Sequence, residues 1–255
     1  MAEIEWSIAG YSDVLQSLHA LRFSGITDPV QDSVVEKKIV LRHDIDFDLN
    51  AALRIAEVDS AIGFSSMFFL MPDSEFYSIN SQSSKHAIEE ICSQGHSIGI
   101  HWDYRNYSLN PDKASSKFNL HLAMLEELTQ STVKYSSQHM PTSSLNSVNL
   151  TPEGVVDMYS PKVMANYHYI SDSSMKWRGE NILQLALHAK NIIFLAHPIW
   201  WAIDGSTSSE KLSTLKDQKI NELFSHFELF ESEMLRVLEL RTDIDSKFKE
   251  IRGLE

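Results

Sequence analysis

The sequence has little cysteine, and this excludes two kinds of site. Its 255 residues contain one cysteine, Cys92, so no disulfide can form within the chain and a zinc site built from several thiolates is excluded. Long apolar runs are missing as well, because no stretch approaches the roughly 18 apolar residues that a membrane-spanning helix needs. The first ten residues, MAEIEWSIAG, lack the basic start of a secretory signal peptide. We therefore expect a cytoplasmic protein without a membrane span.

Basic residues are also scarce relative to acidic ones. The chain has 22 Lys+Arg against 35 Asp+Glu, which gives a formal net charge of −13. Nucleic acids and anionic membranes attract clustered positive charge, so the composition predicts no nucleic-acid partner. Histidine, in contrast, occurs 11 times. Because histidine and aspartate bind metal ions through nitrogen and oxygen, a chain that almost lacks cysteine can still hold a metal.

Short apolar runs alternate with helical patterns along most of the chain. This alternation predicts an α/β fold with a mainly parallel sheet, as a barrel or an open sheet. The segment 140–165 is polar and irregular, and residues 207–250 have apolar residues at helical spacing, which predicts one or two helices there. The predicted strands are 39–41, 64–71, 97–101, 133–138 and 192–196, and the predicted helices among them are 49–61, 83–94 and 111–129.

Aspartate and histidine residues follow the predicted strands, at the edge where parallel α/β folds place their chemistry. The first strand leads into Arg42-His43-Asp44-Ile45-Asp46, and His101, His139 and His197 end three later strands. Strand alternation places Arg42, Asp44 and Asp46 on one face. Two carboxylates so close together favour a metal ion or an arginine beside them, although a helix N-cap with a solvated neighbour is the alternative. Taken together, the set is typical of a catalytic metal site with a position open for water.

These residues resemble the NodB-homology polysaccharide deacetylases (carbohydrate esterase family four), in particular a divergent intracellular branch whose first motif reads R-H-D-[VI]-D. The resemblance implies a distorted (β/α)7 barrel. We expect a lead-in at 1–38, the barrel at 39–206, and a helical extension at 207–255 that packs on the barrel or forms a homodimer interface. Five segments match the family's motifs in order: IVLRHDIDFDLNAALRIAE, GHSIGIHWDY, YSSQHMP, YISDSSMKWRG and FLAHPIWW.

The resemblance also implies roles for particular residues. Asp44 matches the general base of the family and His197 the general acid. Asp172 matches the acidic residue that orients the catalytic groups. Asp46 and His101 match two of the three metal ligands.

The third ligand is missing from its usual place. The family carries a second histidine four residues after the first, and here that position is Arg105. His139 is the replacement we expect, because it ends the next strand, and Asp103 is the second candidate. The family's third-motif arginine is absent too, and Arg42 is the expected positive partner of Asp44.

The expected activity is metal-dependent removal of an acetyl group from an N-acetylated sugar or glycan precursor, which breaks a non-peptide C–N bond. The expected cofactor is a divalent ion, with Zn²⁺ the first candidate. Two alternatives stay open: a catalytically impaired barrel that binds carbohydrate or a protein partner, and hydrolysis of another amide or ester on the same barrel. Aromatic rings stack on sugars and arginines bind anionic groups, so the candidate substrate-binding residues are Arg42, Arg105, Trp177, Arg178 and Trp200.

Overall fold

Parallel strands form the centre of the fold. The computed structural model of the chain describes residues 4–31, 36–107, 110–141 and 150–252. The sheet runs in the order β6-β5-β4-β3-β2-β8-β7, with β1 beside β2, and it curls into a half-barrel, so the predicted α/β barrel of the distorted (β/α)7 type is confirmed. The strands are β1 (Ser24–Gly25), β2 (Lys38–Ile45), β3 (Met67–Leu70), β4 (Ser97–Trp102), β5 (Tyr135–Gln138), β6 (Val156–Asp157), β7 (His168–Ser171) and β8 (Asn191–Ala196).

Helices connect the strands and cover the sheet. Asp48 caps α2 by accepting a hydrogen bond from the Ala51 N–H at 2.6 Å, so the N-cap expected in the first motif is Asp48 rather than Asp44 or Asp46. Gly95 follows α3 with φ of +86°, a left-handed conformation that glycine adopts without strain. The helices are α1 (Ile8–Ala20), α2 (Leu49–Ile62), α3 (Gln82–Ser93), α4 (Pro111–Thr129), α5 (Pro161–Met164), α6 (Ile182–Ala186), α7 (Pro198–Ala202) and α8 (Ser208–Ile251).

The two faces of β2 point to different surroundings. Val40 packs in the barrel interior with Phe69 and Ile193, and alternation continues this face through Arg42 and Asp44 toward the mouth. Close packing requires glycine at position 99, because a Cβ there would collide with the Phe69 ring. The barrel interior is therefore apolar at the bottom and polar at the carboxyl ends of its strands.

On the outer face of β2, a buried polar cluster joins the sheet to α1 and α2. Asp59 accepts hydrogen bonds from Tyr11 Oη at 2.8 Å and from Ser66 Oγ at 2.5 Å. His43 Nε2 lies 2.8 Å from the same carboxylate. All these contacts are buried, so His43 has a structural partner and points away from the barrel mouth, as strand alternation predicts.

Several elements lie outside the predicted ones. The segment 1–38 contains α1, whose buried residues include Val14, Leu15 and Leu18, and β1, which pairs with β2. The strand β7 was also not predicted. The chain divides into the units Met1–Ser208 and Ser209–Glu255, and the division at 39 and 207 stays a prediction.

The second unit consists of most of α8, a helix of 44 residues. The sequence predicts one or two helices here, and the structure has one. Many of its large apolar side chains are exposed, among them Leu223, Phe227, Phe230 and Phe248. In the part of the chain that the structure describes, every helix is too short or too polar to cross a membrane.

Candidate metal centre and acid–base residues

The candidate site lies where β2, β4, β5 and β8 end. Strand register aligns these ends, because His43 pairs with Ala196 across β2 and β8 and His101 pairs with Ser137 across β4 and β5. Residues that follow the paired positions therefore meet at one edge of the barrel. This edge holds Asp44, Asp46, His101, His139 and His197, as the strand-end pattern predicts.

Three of these residues form a group that fits a metal ion. One ligand atom from each of Asp46, His101 and His139 lies within 4.8 Å of the other two. His101 Nε2 is 3.1 Å from Asp46 Oδ1, and His139 Nε2 is 3.8 Å from the same oxygen. The two imidazole rings are nearly perpendicular, at 80°. The structure thus brings His139, the expected replacement ligand, to the two residues that the family motifs indicate.

The other ring nitrogens of both histidines have hydrogen-bond acceptors. His101 Nδ1 lies 2.9 Å from the carbonyl oxygen of Ser137, and His139 Nδ1 lies 2.9 Å from Asp103 Oδ2. A carbonyl or a carboxylate can only accept, so each Nδ1 carries a proton. His101 Nε2 also donates to the Asp46 carboxylate when no ion is bound, and it would lose that proton on binding one. Both histidines thus turn Nε2 toward the group, with Nδ1 held by its acceptor. This is the usual orientation of metal-binding histidines.

Asp103, the second candidate for the third ligand, has other partners. Its Oδ2 accepts from His139. Arg105 donates to Oδ1 from the backbone N–H and from Nε, both at 2.9 Å, and to Oδ2 from a terminal guanidinium nitrogen. Burial disfavours the charged form, but the hydrogen bonds from Arg105 and His139 hold the pKa of Asp103 well below its usual range. Asp103 is therefore a carboxylate behind His139, outside the group of candidate ligands.

Asp44 forms a buried ion pair with Arg42. Arg42 Nε donates to Asp44 Oδ1 at 3.0 Å, and a terminal nitrogen donates to Oδ2 at 2.7 Å. Ser137 Oγ donates to Oδ2 as well, at 3.0 Å. Burial opposes ionisation, but the guanidinium beside it holds the pKa of Asp44 well below its usual range. Arg42 is thus the positive partner expected for Asp44, and this carboxylate stays ionised at neutral pH.

His197 is backed by a fully buried carboxylate. Its Nδ1 lies 2.6 Å from Asp172 Oδ1, and its backbone N–H donates to Oδ2 at 2.9 Å. Trp201 Nε1 donates to the same oxygen at 2.8 Å. Burial lowers the pKa of His197, but the Asp172 carboxylate outweighs burial and raises it to about 9. His197 is therefore protonated at neutral pH, with 16% of its side chain exposed.

A cavity of about 260 Å³ opens beside the metal-binding group and is lined by Asp46, Asp103 and His139. The rings of Phe47 and Phe76 also line it, with centroids 4.8 Å apart. Neither phenylalanine was predicted. The sequence feature that could have indicated Phe47 is its position directly after Asp46. Phe76 lies in a loop outside the motifs, so no sequence feature indicates it.

The five predicted substrate-binding residues are placed differently from one another. Arg105 lines the cavity, but Asp103 engages its guanidinium. Arg42 is fully buried against Asp44, and Trp200 is buried too. Trp177 stacks on Trp6 with ring centroids 5.2 Å apart. Arg178 is exposed, and it does not line the cavity.

The fold and the site define a class: a parallel β/α barrel with a candidate metal centre and a carboxylate-backed histidine at the carboxyl edge of its strands. Solved structures with a similar fold are proteins of carbohydrate esterase family 4, the family that the sequence motifs resemble. The sequence identities to these structures, given below, are at most 18%, so the likeness is one of fold. No protein-family model matches the chain, and no curated protein matches its sequence.

Three such structures illustrate the likeness. A family 4 carbohydrate esterase from Bacillus anthracis is 18% identical, over 83% of this chain and 86% of its own, with a TM-score of 0.45. A CE4 family pseudoenzyme from Bacillus anthracis is 16% identical, with a TM-score of 0.46. That match covers 72% of this chain but 64% of the pseudoenzyme, which is less than two thirds of its length. A family 4 acetyl xylan esterase from Clostridium thermocellum, in complex with a cobalt ion, is 17% identical over 74% of this chain and 84% of its own, with a TM-score of 0.40.

Proposed function

We propose that this protein is a metal-dependent deacetylase that hydrolyses the amide bond of an N-acetylated sugar or glycan precursor. The observation that carries the proposal is the group of Asp46, His101 and His139, whose ligand atoms lie within 4.8 Å of one another. The same edge of the barrel carries an ionised aspartate, Asp44, and a protonated histidine, His197. Amide hydrolysis requires these two protonation states, one to accept a proton and one to donate it.

The donor set fits a divalent ion such as Zn²⁺. Two imidazole nitrogens and one carboxylate oxygen are ligands that zinc prefers, and three protein ligands leave a position open for water. Each Nδ1 is held by its own acceptor, so both Nε2 atoms face the group, and an ion would replace the proton by which His101 Nε2 now donates to Asp46. A divalent ion held there would supply Lewis acidity to the acetyl carbonyl and would lower the pKa of water.

Asp44 is the residue that supports the base role. When the water oxygen bonds to the acetyl carbon, the water loses a proton, and the carboxylate of Asp44 accepts it. Arg42 keeps Asp44 ionised at neutral pH but also weakens it as a base, because the same ion pair opposes protonation. General-base catalysis of this kind typically contributes about 10²–10⁴ in rate.

His197 supports the acid role. The C–N bond breaks with its electron pair on nitrogen, and protonated His197 donates the proton that this nitrogen takes up. Asp172 holds the ring by its Nδ1, so Nε2 is the donating atom. The products are a free amine on the sugar and acetate.

The cavity favours a substrate without an anionic group. Among the described residues, its lining includes the carboxylates of Asp46, Asp73, Glu75 and Asp103, against one guanidinium, Arg105. Asp103 already engages that guanidinium, so the described part of this lining offers an anionic group no unengaged cationic side chain. The pair of Phe47 and Phe76 offers apolar surface for the face of a sugar ring. We therefore infer a neutral N-acetylated sugar, and not the anionic one for which Arg105 and Arg178 were considered.

The test is acetate release from neutral N-acetylated sugars and their oligomers, with a panel of non-sugar amides and esters beside them. The protein is stripped with a chelator and reloaded with Zn²⁺ or Co²⁺. We expect activity that depends on the metal, falls at least about 10²-fold in Asp44→Asn, and is lost together with the bound metal in Asp46→Ala. His188→Ala, at an exposed histidine whose partner is the exposed Glu180, is the matched control.

Two results would contradict the proposal. A reloaded wild type that releases no acetate from any sugar favours the alternative of a carbohydrate- or protein-binding barrel. Release from the amide or ester panel alone favours another hydrolytic activity. The cavity and the protonation states of Asp44 and His197 support the deacetylase over the first of these.

The remaining expectations about partners and location belong to the same proposal. Apolar residues recur along α8 at spacings of three and four residues, as in helices that form coiled coils, which supports the predicted homodimer through the C-terminal helices. Light scattering of the full chain tests it: a monomer at high concentration contradicts it, and a dimer that Phe227→Glu with Phe230→Glu dissociates supports it. A cytoplasmic location and the lack of a nucleic-acid partner stay predictions.

A further inference from the structure

We infer that Asp103 is a positioning residue that acts through His139, and that Arg105 holds Asp103 in place. The inference rests on the proposed metal site and deepens it. It explains how the centre keeps three ligands although an arginine occupies the position where the family motif has a histidine. The replacement ligand, its supporting carboxylate and the arginine form one connected unit.

Strand register brings Asp103 and His139 together. Trp102 pairs with Gln138 at the last registered position of β4 and β5, so the next residue on each strand is Asp103 and His139. The backbone N–H of His139 also donates to the Trp102 carbonyl at 2.8 Å. The backbone therefore fixes the relative position of the two side chains, and it does so on the face that already carries His101.

The contact between the side chains orients the imidazole. Asp103 Oδ2 accepts from His139 Nδ1 at 2.9 Å, which leaves His139 Nε2 on the side of Asp46. A carboxylate on the second nitrogen fixes both the ring and its tautomer, and loss of such a partner typically lowers metal affinity by about 10- to 100-fold. The other candidate ligand, His101, obtains the same support from a backbone carbonyl, that of Ser137.

Arg105 completes the unit from the solvent side. It donates to Asp103 from its backbone N–H and from two guanidinium nitrogens, and 60% of its side chain is exposed whereas 6% of the Asp103 side chain is. A guanidinium stays charged and cannot bind a cation. It can, however, fix a carboxylate in a forked geometry. Arg105 therefore occupies the position of a ligand but serves as a clamp on the partner of another ligand.

The experiment measures Co²⁺ affinity of the full chain by competition with a chelator, together with the visible spectrum of the bound ion. The variants are Asp103→Asn, Arg105→Gln, His139→Ala and the double variant Asp103→Asn with His139→Ala. The control is Asp73→Asn, which removes a negative charge from the same cavity wall but from a residue whose partner is Lys117. The unfolding midpoint of each metal-free variant verifies that it folds. Asp103→Glu keeps a carboxylate at this position, so it tests whether a carboxylate restores the Co²⁺ affinity that Asp103→Asn loses.

We expect Asp103→Asn to weaken Co²⁺ binding by about 10- to 100-fold and to alter the visible spectrum, with a smaller loss in Arg105→Gln and nearly none in Asp73→Asn. In the His139→Ala background, Asp103→Asn should cost nothing further, because the residue through which it acts is gone. An equal loss in that background would make Asp103 a ligand itself and overturn the inference. So would an Asp103→Asn protein that binds Co²⁺ as Asp73→Asn does.

These outcomes are distinct from failure of the proposed function. A wild type that binds no Co²⁺ overturns the metal site and the inference together. A wild type that binds Co²⁺ but releases no acetate contradicts the deacetylase and leaves the inference standing on the affinities alone.

Discussion

The contact between His197 and Asp172 makes a quantitative prediction about stability and pH. Burial lowers the pKa of His197, but nearby carboxylates raise it from an ordinary value of 6.5 to about 9, and replacing Asp172 with asparagine removes the largest of these charges and leaves Asp46 and Asp44. One pKa unit corresponds to about 1.4 kcal/mol, so the protonated histidine among these carboxylates contributes about 3 kcal/mol to the free energy of unfolding. Because the pKa is raised in the folded state, this contribution is complete below pH 6.5 and is lost as the pH rises through about 9.

The assay is urea unfolding of the metal-free protein at about pH 6 and about pH 9.5. Between these two pH values we expect the wild type to lose about 3 kcal/mol and Asp172→Asn to lose much less, because the largest of the charges that raise the pKa of His197 is gone. The loss of hydrogen bonds in the variant lowers its free energy of unfolding equally at both pH values. The change in this free energy between the two pH values is therefore free of that cost. Glu180→Gln is the control, because the pair of Glu180 and His188 is exposed, at 42% and 59%, and such pairs contribute less than about 1 kcal/mol.

The pKa of His197 can also be measured directly by NMR titration. The imidazole of His197 should titrate near pH 9 in the wild type and at lower pH in Asp172→Asn. Equal pH dependence of stability in the two proteins, or a wild-type His197 that titrates at its ordinary pKa, would refute the argument. Either result would also remove the basis for treating His197 as the acid.

Three further predictions concern packing and buried charge. Gly99→Ala forces the Phe69 ring to move and should cost about 1–3 kcal/mol in urea unfolding; a change within about 0.5 kcal/mol would mean that the ring has room. Asp59→Asn leaves three buried hydrogen-bonding groups poorly matched and should cost about 3 kcal/mol while each folded molecule still binds Co²⁺; loss of binding would mean that the cluster couples to the site. Arg42→Met leaves Asp44 buried without its partner, so stability should fall by about 3–5 kcal/mol and the pKa of Asp44 should rise, which a shift of the acid limb of the rate profile to higher pH would report.

The central strands could be predicted because their local pattern is strong. Strands buried on both faces are continuous apolar runs, as in residues 192–196, and such runs stand out between helices. The edge strand β7 has two exposed residues out of four, so its pattern is weak. The helix α1 carries apolar residues at helical spacing, but it precedes the motifs and was assigned to a lead-in segment. Position relative to a motif is no guide to whether a segment packs.

The site could be predicted in part for a related reason. The carboxyl ends of parallel strands meet at one edge, so the position of His139 beside Asp46 and His101 could be predicted, and its role as a ligand stays a prediction. The contact between Asp103 and His139 could not be predicted in this way, since it depends on the register between β4 and β5, which sequence does not specify. The aromatic wall of the cavity depends on how the loop with Phe76 folds back on Phe47. That packing leaves no periodic signal.

The inferred support of His139 by Asp103 follows from the geometry of two adjacent strand ends. With β4 and β5 in parallel register, the positions directly beyond the last paired residues are neighbours, and a histidine on one can take a carboxylate on the other as its support. That carboxylate, Asp103, would repel a nearby Asp46 if it carried its charge alone. An arginine two residues later neutralises it from solvent, where a guanidinium is hydrated at little cost. If Arg105 holds Asp103 and Asp103 holds His139, as we infer, Arg105→His should weaken Co²⁺ binding in the chelator competition, and tighter binding in that variant would contradict the inference.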